Sequence, residues 1–171
     1  MPELQRLQAG HAAAVLAFEL ANRAYFATFI SDRGDEFFDH FTEDFGDRLA
    51  EQEAGSCAFH VLLGADGTVL GRFNLFNLTD GTAELGYRVA EHAAGRGVAT
   101  GAVRELCRLA ATRYGLRTLR AATSHENVAS QKVLAKAGFV PAGPARPGGR
   151  PGTWYRRDLG REPDRAAAQP G

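Results

Sequence analysis

Glu91-His92-Ala93-Ala94-Gly95-Arg96-Gly97-Val98-Ala99-Thr100 joins a strand to a helix through two glycines. Ahead of it, in residues 82–90, Leu85, Tyr87 and Val89 share one face and Glu84, Gly86 and Arg88 the other, the alternation of a half-buried strand. Behind it, Val98, Ala102, Leu106 and Leu109 form an apolar stripe over residues 98–113 with arginines opposite, the period of a helix. Glycines at a helix mouth let backbone amides approach an anion, and the unpaired N–H groups and helix dipole favour negative charge there. The stretch is therefore an anion site or a turn that merely joins two elements. Two nucleotide-binding alternatives fit poorly. Gly95 and Gly97 give the first two glycines of a dinucleotide fingerprint, but Thr100 stands at the third position and no acid ends the next strand near Ala122. The chain also has no Gly-Lys-Ser/Thr of a P-loop.

Working outward, residues 10–29 carry Val15, Phe18, Asn22, Phe26 and Phe29 at helical spacing. Residues 35–53 repeat the pattern with Phe37, Phe41, Phe45 and Leu49, and acids fill the other faces. Residues 57–63 and 68–78 read as strands joined by Gly64-Ala65-Asp66-Gly67, and the Asp80-Gly81 turn adds residues 82–90 to make a three-stranded meander. Tyr114-Gly115 ends the helix, residues 116–123 form a short strand, and Asn127 or a neighbour caps a helix that runs to Ala137 and stops at Gly138. Residues 150–159 supply a last strand anchored by Trp154. This order predicts an α/β (α+β) fold, a mixed sheet with helices on its faces, as one domain over residues 1–160. Residues 161–171, polar and without period, are expected to form a flexible tail.

At 171 residues, 44% hydrophobic and 23% charged, the chain is long enough for one substantial core and is not a disordered sequence. No apolar run approaches a membrane span, and the start, with Glu3, lacks the basic and apolar regions of a signal peptide, so a cytoplasmic location and no membrane partner are expected. Cys57 and Cys107 fit neither a disulfide framework nor a zinc spacing, and the five histidines show no ligand pattern, so no metal is expected. The formal net charge is zero and no basic stretch is interleaved with aromatics, which argues against a nucleic-acid partner. Charge is unevenly spread. Residues 31–55 hold nine acids against two arginines, and residues 88–120 hold seven arginines against two acids. Such a division suits a cationic acceptor on one side and an anionic cofactor on the other, or two solvated helix faces.

Two segments together resemble the GNAT superfamily of acyl-CoA-dependent N-acetyltransferases. That family carries, after its fourth strand, a Gln or Arg, two residues, a glycine, one residue and a small residue; here Gly97 and Ala99 match, while Ala94 stands at the first position. The second segment is Asn127-Val128-Ala129-Ser130-Gln131-Lys132-Val133-Leu134-Ala135-Lys136-Ala137-Gly138-Phe139, which is similar to the family's Asn-to-Gly-Phe segment. Leu134, with residues 18–26 and 83–87, resembles the ribosomal-protein-alanine N-terminal acetyltransferase (Rim-type) branch. The resemblance covers residues 4–159. It implies six to seven strands with four flanking helices, and acetyl-CoA as co-substrate.

It also implies roles. Val89, Ala94, Gly95, Arg96, Gly97, Val98, Ala99 and Thr100 would hold the cofactor with Asn127 and Ser130. The acceptor amine would attack the thioester directly, so no covalent enzyme intermediate is needed and both cysteines are structural. Glu84 is the first candidate for the general base, or a solvated strand carboxylate; His125 is the second, or a loop histidine. Ser130 is a donor to the departing thiolate, or bonds its own backbone. The acceptor would be a protein N-terminal amine or a small-molecule amine. The alternative is a non-catalytic acyl-CoA-binding or sensing domain. Oligomeric state is not encoded in any of these features.

Overall fold

The structure is a computed structural model and describes residues 2–160; the expected tail, 161–171, lies outside the described residues. The strands are β1 (Glu3–Arg6), β2 (Ala58–Leu63), β3 (Val69–Thr79), β4 (Thr82–Val89), β5 (Thr118–Ser124), β6 (Val140–Ala145) and β7 (Gly152–Asp158). They form one sheet in the order β1-β2-β3-β4-β5-β7-β6. The expected meander is present, with Phe73 opposite both His60 and Tyr87. Every pairing is antiparallel except β4 with β5.

The helices are α1 (Ala12–Ala21), α2 (Arg23–Ala27), α3 (Asp35–Asp39), α4 (Phe41–Glu53), α5 (Val98–Thr112) and α6 (Val128–Lys136). On one face of the sheet, α5 and α6 bury Leu106 and Leu134 against Phe73, Leu75, Leu85 and Leu119. On the other, α1, α2 and α4 bury Val15, Phe18, Phe26 and Phe45 against Phe59 and Val61. Each such side chain contributes roughly 1.5–3 kcal/mol on burial, so the sheet is clamped from both sides.

Three local expectations are corrected. Residues 10–29 are not one helix: Asn22 leaves helical geometry at φ −107°, ψ 7°, and α1 ends there. Its side chain, buried rather than part of an apolar stripe, donates from Nδ2 to the Phe18 carbonyl and accepts the Glu91 N–H at Oδ1, fixing the first helix to the turn after β4. Residues 35–53 break likewise at His40, φ −107°, ψ 18°. The buried stripe of α5 runs through Ala102, Val103, Leu106, Cys107 and Ala110, leaving Leu109 half-buried.

The residue pattern alone indicated five strands, and the two it did not indicate are the sheet edges. Glu3-Leu4-Gln5-Arg6 has a single apolar residue, and β6 contains Pro141 and Pro144 and is almost wholly exposed. Proline cannot donate to a ladder, so it is confined to such edges.

Candidate active site

The parallel pairing of β4 with β5 covers only Thr82–Glu84 against Thr118–Arg120. Beyond it the two strands part, although β4 continues to Val89 and β5 to Ser124. A cleft of about 240 Å³ opens between them. Leu85, Gly86 and Tyr87 form one wall and residues 121–124 the other; Asn127, Ser130 and Leu134 close it from α6. On the opposite face of the sheet it is closed by Phe29–Ser31 and by Pro147, Gly148 and Arg150 of the corner between β6 and β7. The cleft thus passes through the sheet, and two reactants can enter from opposite faces.

At the outer end of β4 lies the glycine stretch. Gly95 and Gly97 both have φ of +75°, and Gly97 in the left-handed region is the N-cap of α5. No atom lies within 4 Å of where a Cβ would stand on either, so backbone conformation, not crowding, demands glycine. The first main-chain bond of the helix is Gly101 N–H to the Gly97 carbonyl. Among the described residues, the N–H groups of residues 95–100 make no hydrogen bond. A row of free amides at the start of a fifteen-residue helix is the donor set a pyrophosphate needs. The residues of the predicted cofactor loop therefore fit an acyl-CoA, with the free edge of β4 from Leu85 to Val89 leading from the loop into the cleft.

Asn127 caps α6 by accepting the Ser130 N–H at Oδ1, 3.2 Å away, and both residues line the cleft. The Ser130 hydroxyl does not turn back on its helix; its Oγ meets the Tyr87 hydroxyl at 3.0 Å. Burial pushes the Tyr87 phenol up to about 12, against the opposing hydrogen bond of Ser130. Its ring stacks on Phe73, 5.5 Å between centroids and 8° from parallel. The alternation of β4 placed Tyr87 on an inward face and so disguised it as core. The signal that could have separated it was its hydroxyl, a polar tip that must find a partner when buried.

Glu84 does not line the cleft. It stands at the last paired position before β4 and β5 separate, on the face shared with Gly86 and Arg88, and its carboxylate makes no hydrogen bond or ion pair among the described residues. His125 is exposed, outside the cleft, with Nε2 3.2 Å from Thr153 Oγ1 and its backbone N–H on the Pro151 carbonyl. Cys107 is buried, and burial pushes its thiol up, which suits a structural role. No residue of the acidic segment 35–53 lines the cleft. Among the described residues no cluster of three metal-ligating side chains exists.

Behind the Phe29–Ser31 wall lies a charge cluster that the residue pattern does not announce. Glu19 on α1 is 1% exposed and bonds Arg33 at 3.0 Å, Arg72 at 3.0 Å and Arg88 at 3.3 Å. Burial raises its carboxyl, but Arg33, Arg88 and Arg72 together hold it below the usual range. Through Arg33 the cluster ties down the loop that carries Phe29–Ser31. Arg23 ties the same loop by a forked bond to Asp32 at 2.9 and 2.8 Å, and Arg150 Nη1 donates to the Phe29 carbonyl at 3.1 Å.

Residues 3–140 match the Acetyltransferase (GNAT) domain family. A probable N-acetyltransferase of Bacillus subtilis, YjcK, is 30% identical over 140 residues, 77% of this chain and 76% of that protein. Among solved structures, the ribosomal-protein-S5-alanine acetyltransferase of Vibrio fischeri superposes with a TM-score of 0.85 at 19% identity over 92% of this chain and 93% of that one. Mycobacterium smegmatis RimJ, solved with CoA-disulfide, gives 0.80 at 24% identity over 91% and 80%. A spermidine N-acetyltransferase of Vibrio cholerae, solved with CoA and spermine, gives 0.72 at 18% identity over 91% and 92%. With the sheet split between β4 and β5, free amides at the head of α5 and the cap and first turn of α6 lining the cleft, the chain belongs to the GNAT family and is an acetyl-CoA-dependent N-acetyltransferase.

Proposed function

We propose that this enzyme acetylates a primary amine presented from the Phe29–Ser31 side of the cleft, with a peptide N-terminal amine as the acceptor class and the cytoplasm as its place of work. The observation that carries this reading is the cleft through the sheet, closed by cofactor-side residues on one face and by two loops on the other. The name of the Vibrio fischeri structure, a ribosomal-protein-S5-alanine acetyltransferase, supports a protein acceptor, and the Vibrio cholerae structure supports a small amine.

In this mechanism the free amides of residues 95–100 hold the pyrophosphate, and the unpaired edge of β4 orients the thioester in the cleft. Glu84, outside the cleft lining at the end of the β4–β5 ladder, accepts the proton of the acceptor ammonium through a bridging water, from the face opposite Ser130. The amine nitrogen then bonds to the acetyl carbon as the carbon–sulfur bond breaks. Ser130, backed by the Tyr87 hydroxyl, donates to the departing sulfur and regains a proton, through solvent, from the attacking nitrogen, so that the products are an amide and a free thiol with the ammonium proton left on Glu84. His125 is assigned no step.

The test is release of coenzyme A thiol from acetyl-CoA with a panel of peptides and small amines, with the acetylated product located by mass spectrometry. Turnover with peptides carrying a free N-terminus, and none with N-terminally blocked ones lacking lysine, is the expected result. Coenzyme A binding without turnover of any amine would leave the acyl-CoA-sensing reading in its place.

A further inference from the structure

The charge lining the acceptor side of the cleft is one-sided. Among the described residues that line it, Arg150 alone carries a charge, and there is no aspartate or glutamate. Its guanidinium is held across the mouth, with Nη1 on the Phe29 carbonyl at 3.1 Å and 3.4 Å from Glu126 Oε2. The Glu126 side chain is 76% exposed, and an ion pair this long between exposed groups is weak. Nε and Nη2 of Arg150 make no hydrogen bond among the described residues. These two nitrogens form one side of the guanidinium fork, the side that takes a carboxylate through two parallel hydrogen bonds.

The surroundings favour the same sign. Phe29, Ile30 and Pro147 beside Arg150 are apolar, which strengthens a charge pair by excluding water. Behind Ser31, which borders both the cleft and the charge cluster, three arginines share the single carboxylate of Glu19. Arg23, also there, is offset by Asp32 and Asp35. An acceptor with a second ammonium, such as a polyamine, would meet Arg150 with no acid in the cleft to receive it.

Resting on the acetyltransferase reading above, we infer that Arg150 binds a carboxylate of the acceptor, so that the preferred substrate is a primary amine with an acid group a few bonds away. That carboxylate has two sources: an acidic side chain next to a peptide's N-terminal residue, or the α-carboxylate of a free amino acid.

The experiment compares kcat/KM for Ala-Asp-Ala-amide, Ala-Asn-Ala-amide and Ala-Lys-Ala-amide, for alanine against alaninamide, and for spermidine. Wild-type enzyme should prefer the Asp peptide to the Asn peptide by about 10- to 100-fold, the scale of a charge-assisted hydrogen bond. The Lys peptide and spermidine should fall below the Asn peptide. Preference for alanine over alaninamide as well would identify the free amino acid as a source; preference confined to the Asp peptide would identify the side chain. Arg150→Gln, which keeps a donor for the Phe29 carbonyl, should erase the Asp-over-Asn preference mainly through KM, and Arg150→Glu should invert it. A coenzyme A melting shift equal to wild type shows that the variants are folded and the cofactor side is intact. Equal wild-type turnover of all three peptides, or a uniform loss in Arg150→Gln with the preference retained, overturns the inference while leaving acetyl transfer standing. Absence of turnover with every amine overturns both.

Discussion

The Tyr87 hydroxyl lies 3.0 Å from Ser130 Oγ, joining the middle of β4 to the first turn of α6 across the cleft. In the proposed mechanism the two hydroxyls act as one donor unit toward the leaving sulfur, so their losses should overlap. Ser130→Ala and Tyr87→Phe are each expected to lower kcat by roughly 10- to 100-fold, at the low end of general acid catalysis because water can substitute. The double variant should lose little more than the worse single one. Steady-state kinetics of the four proteins test this, and fully multiplicative losses would separate the two groups. With its phenol pushed up to about 12, Tyr87 keeps its proton throughout the assay range and contributes no alkaline limb below about pH 10.

Glu84 stands where the β4–β5 ladder ends, paired in register with Arg120. As the proposed base it should matter to kcat and not to the cofactor. Glu84→Gln is expected to lower kcat by ~10²–10⁴-fold near neutral pH and to leave coenzyme A affinity, measured by calorimetry, within about twofold. His125→Ala should keep near-wild-type kcat. A reversed pattern would move the base to the β5–α6 loop.

Gly97 holds φ of +75° at the mouth of α5 with open space around its Cα. A β-branched residue there strains the backbone that presents the free amides. Coenzyme A at 100 times its Kd should stabilise the wild-type fold by about 2.7 kcal/mol. Gly97→Val should abolish that shift in a thermal melt, while Gly10→Ala, at an open site remote from the loop, should retain it.

The cofactor side was legible because its signals are local. The glycines before α5 and the run from Asn127 to Phe139 lie within short stretches, and each states its own backbone geometry. The acceptor side was not, because it is assembled from segments far apart in the chain. Phe29 and Arg150 are 121 residues apart, and Glu19 meets Arg88 across 69. The acidic run 35–53 left two readings open, a cationic side or a solvated helix face; α4 packs Phe41 and Phe45 inward, and no acid of the run lines the cleft. The helix break at Asn22 was hidden because an apolar period does not register a side chain that captures main-chain groups.

Glu19 compensates three guanidiniums from a site that is 1% exposed. Removing one partner of a buried ion cluster leaves the others uncompensated, which typically costs about 3–5 kcal/mol. Glu19→Gln should lose that much in urea denaturation, and the loop carrying Phe29–Ser31 should become susceptible to proteolysis before the fold as a whole. A loss below about 1 kcal/mol would show that the arginines find water instead.

His60 provides a pH dependence of stability. Its ring, 2% exposed, lies with Nδ1 3.3 Å from the Phe73 carbonyl and Nε2 2.9 Å from the Tyr114 hydroxyl. A carbonyl only accepts, so Nδ1 carries the proton and Nε2 accepts from Tyr114. Burial, aided by Arg6 and Arg113 and opposed by the Phe73 carbonyl, pushes the imidazole down from 6.5 to about 4. The folded state therefore favours the neutral ring, and this contribution is fully present above the unfolded value of about 6.5. As pH falls, the unfolded chain takes up the proton first, and stability is lost between about pH 6.5 and pH 4. The shift corresponds to about 3 kcal/mol at about 1.4 kcal/mol per unit. Carboxylates such as Glu19 also lose stabilisation toward the acid end of this window, so the comparison must be with a variant. His60→Gln should be less stable than wild type at pH 7 and lose about 3 kcal/mol less on acidification to pH 4, followed by denaturant titration at each pH. Parallel curves for the two proteins would show that the ring does not titrate with folding.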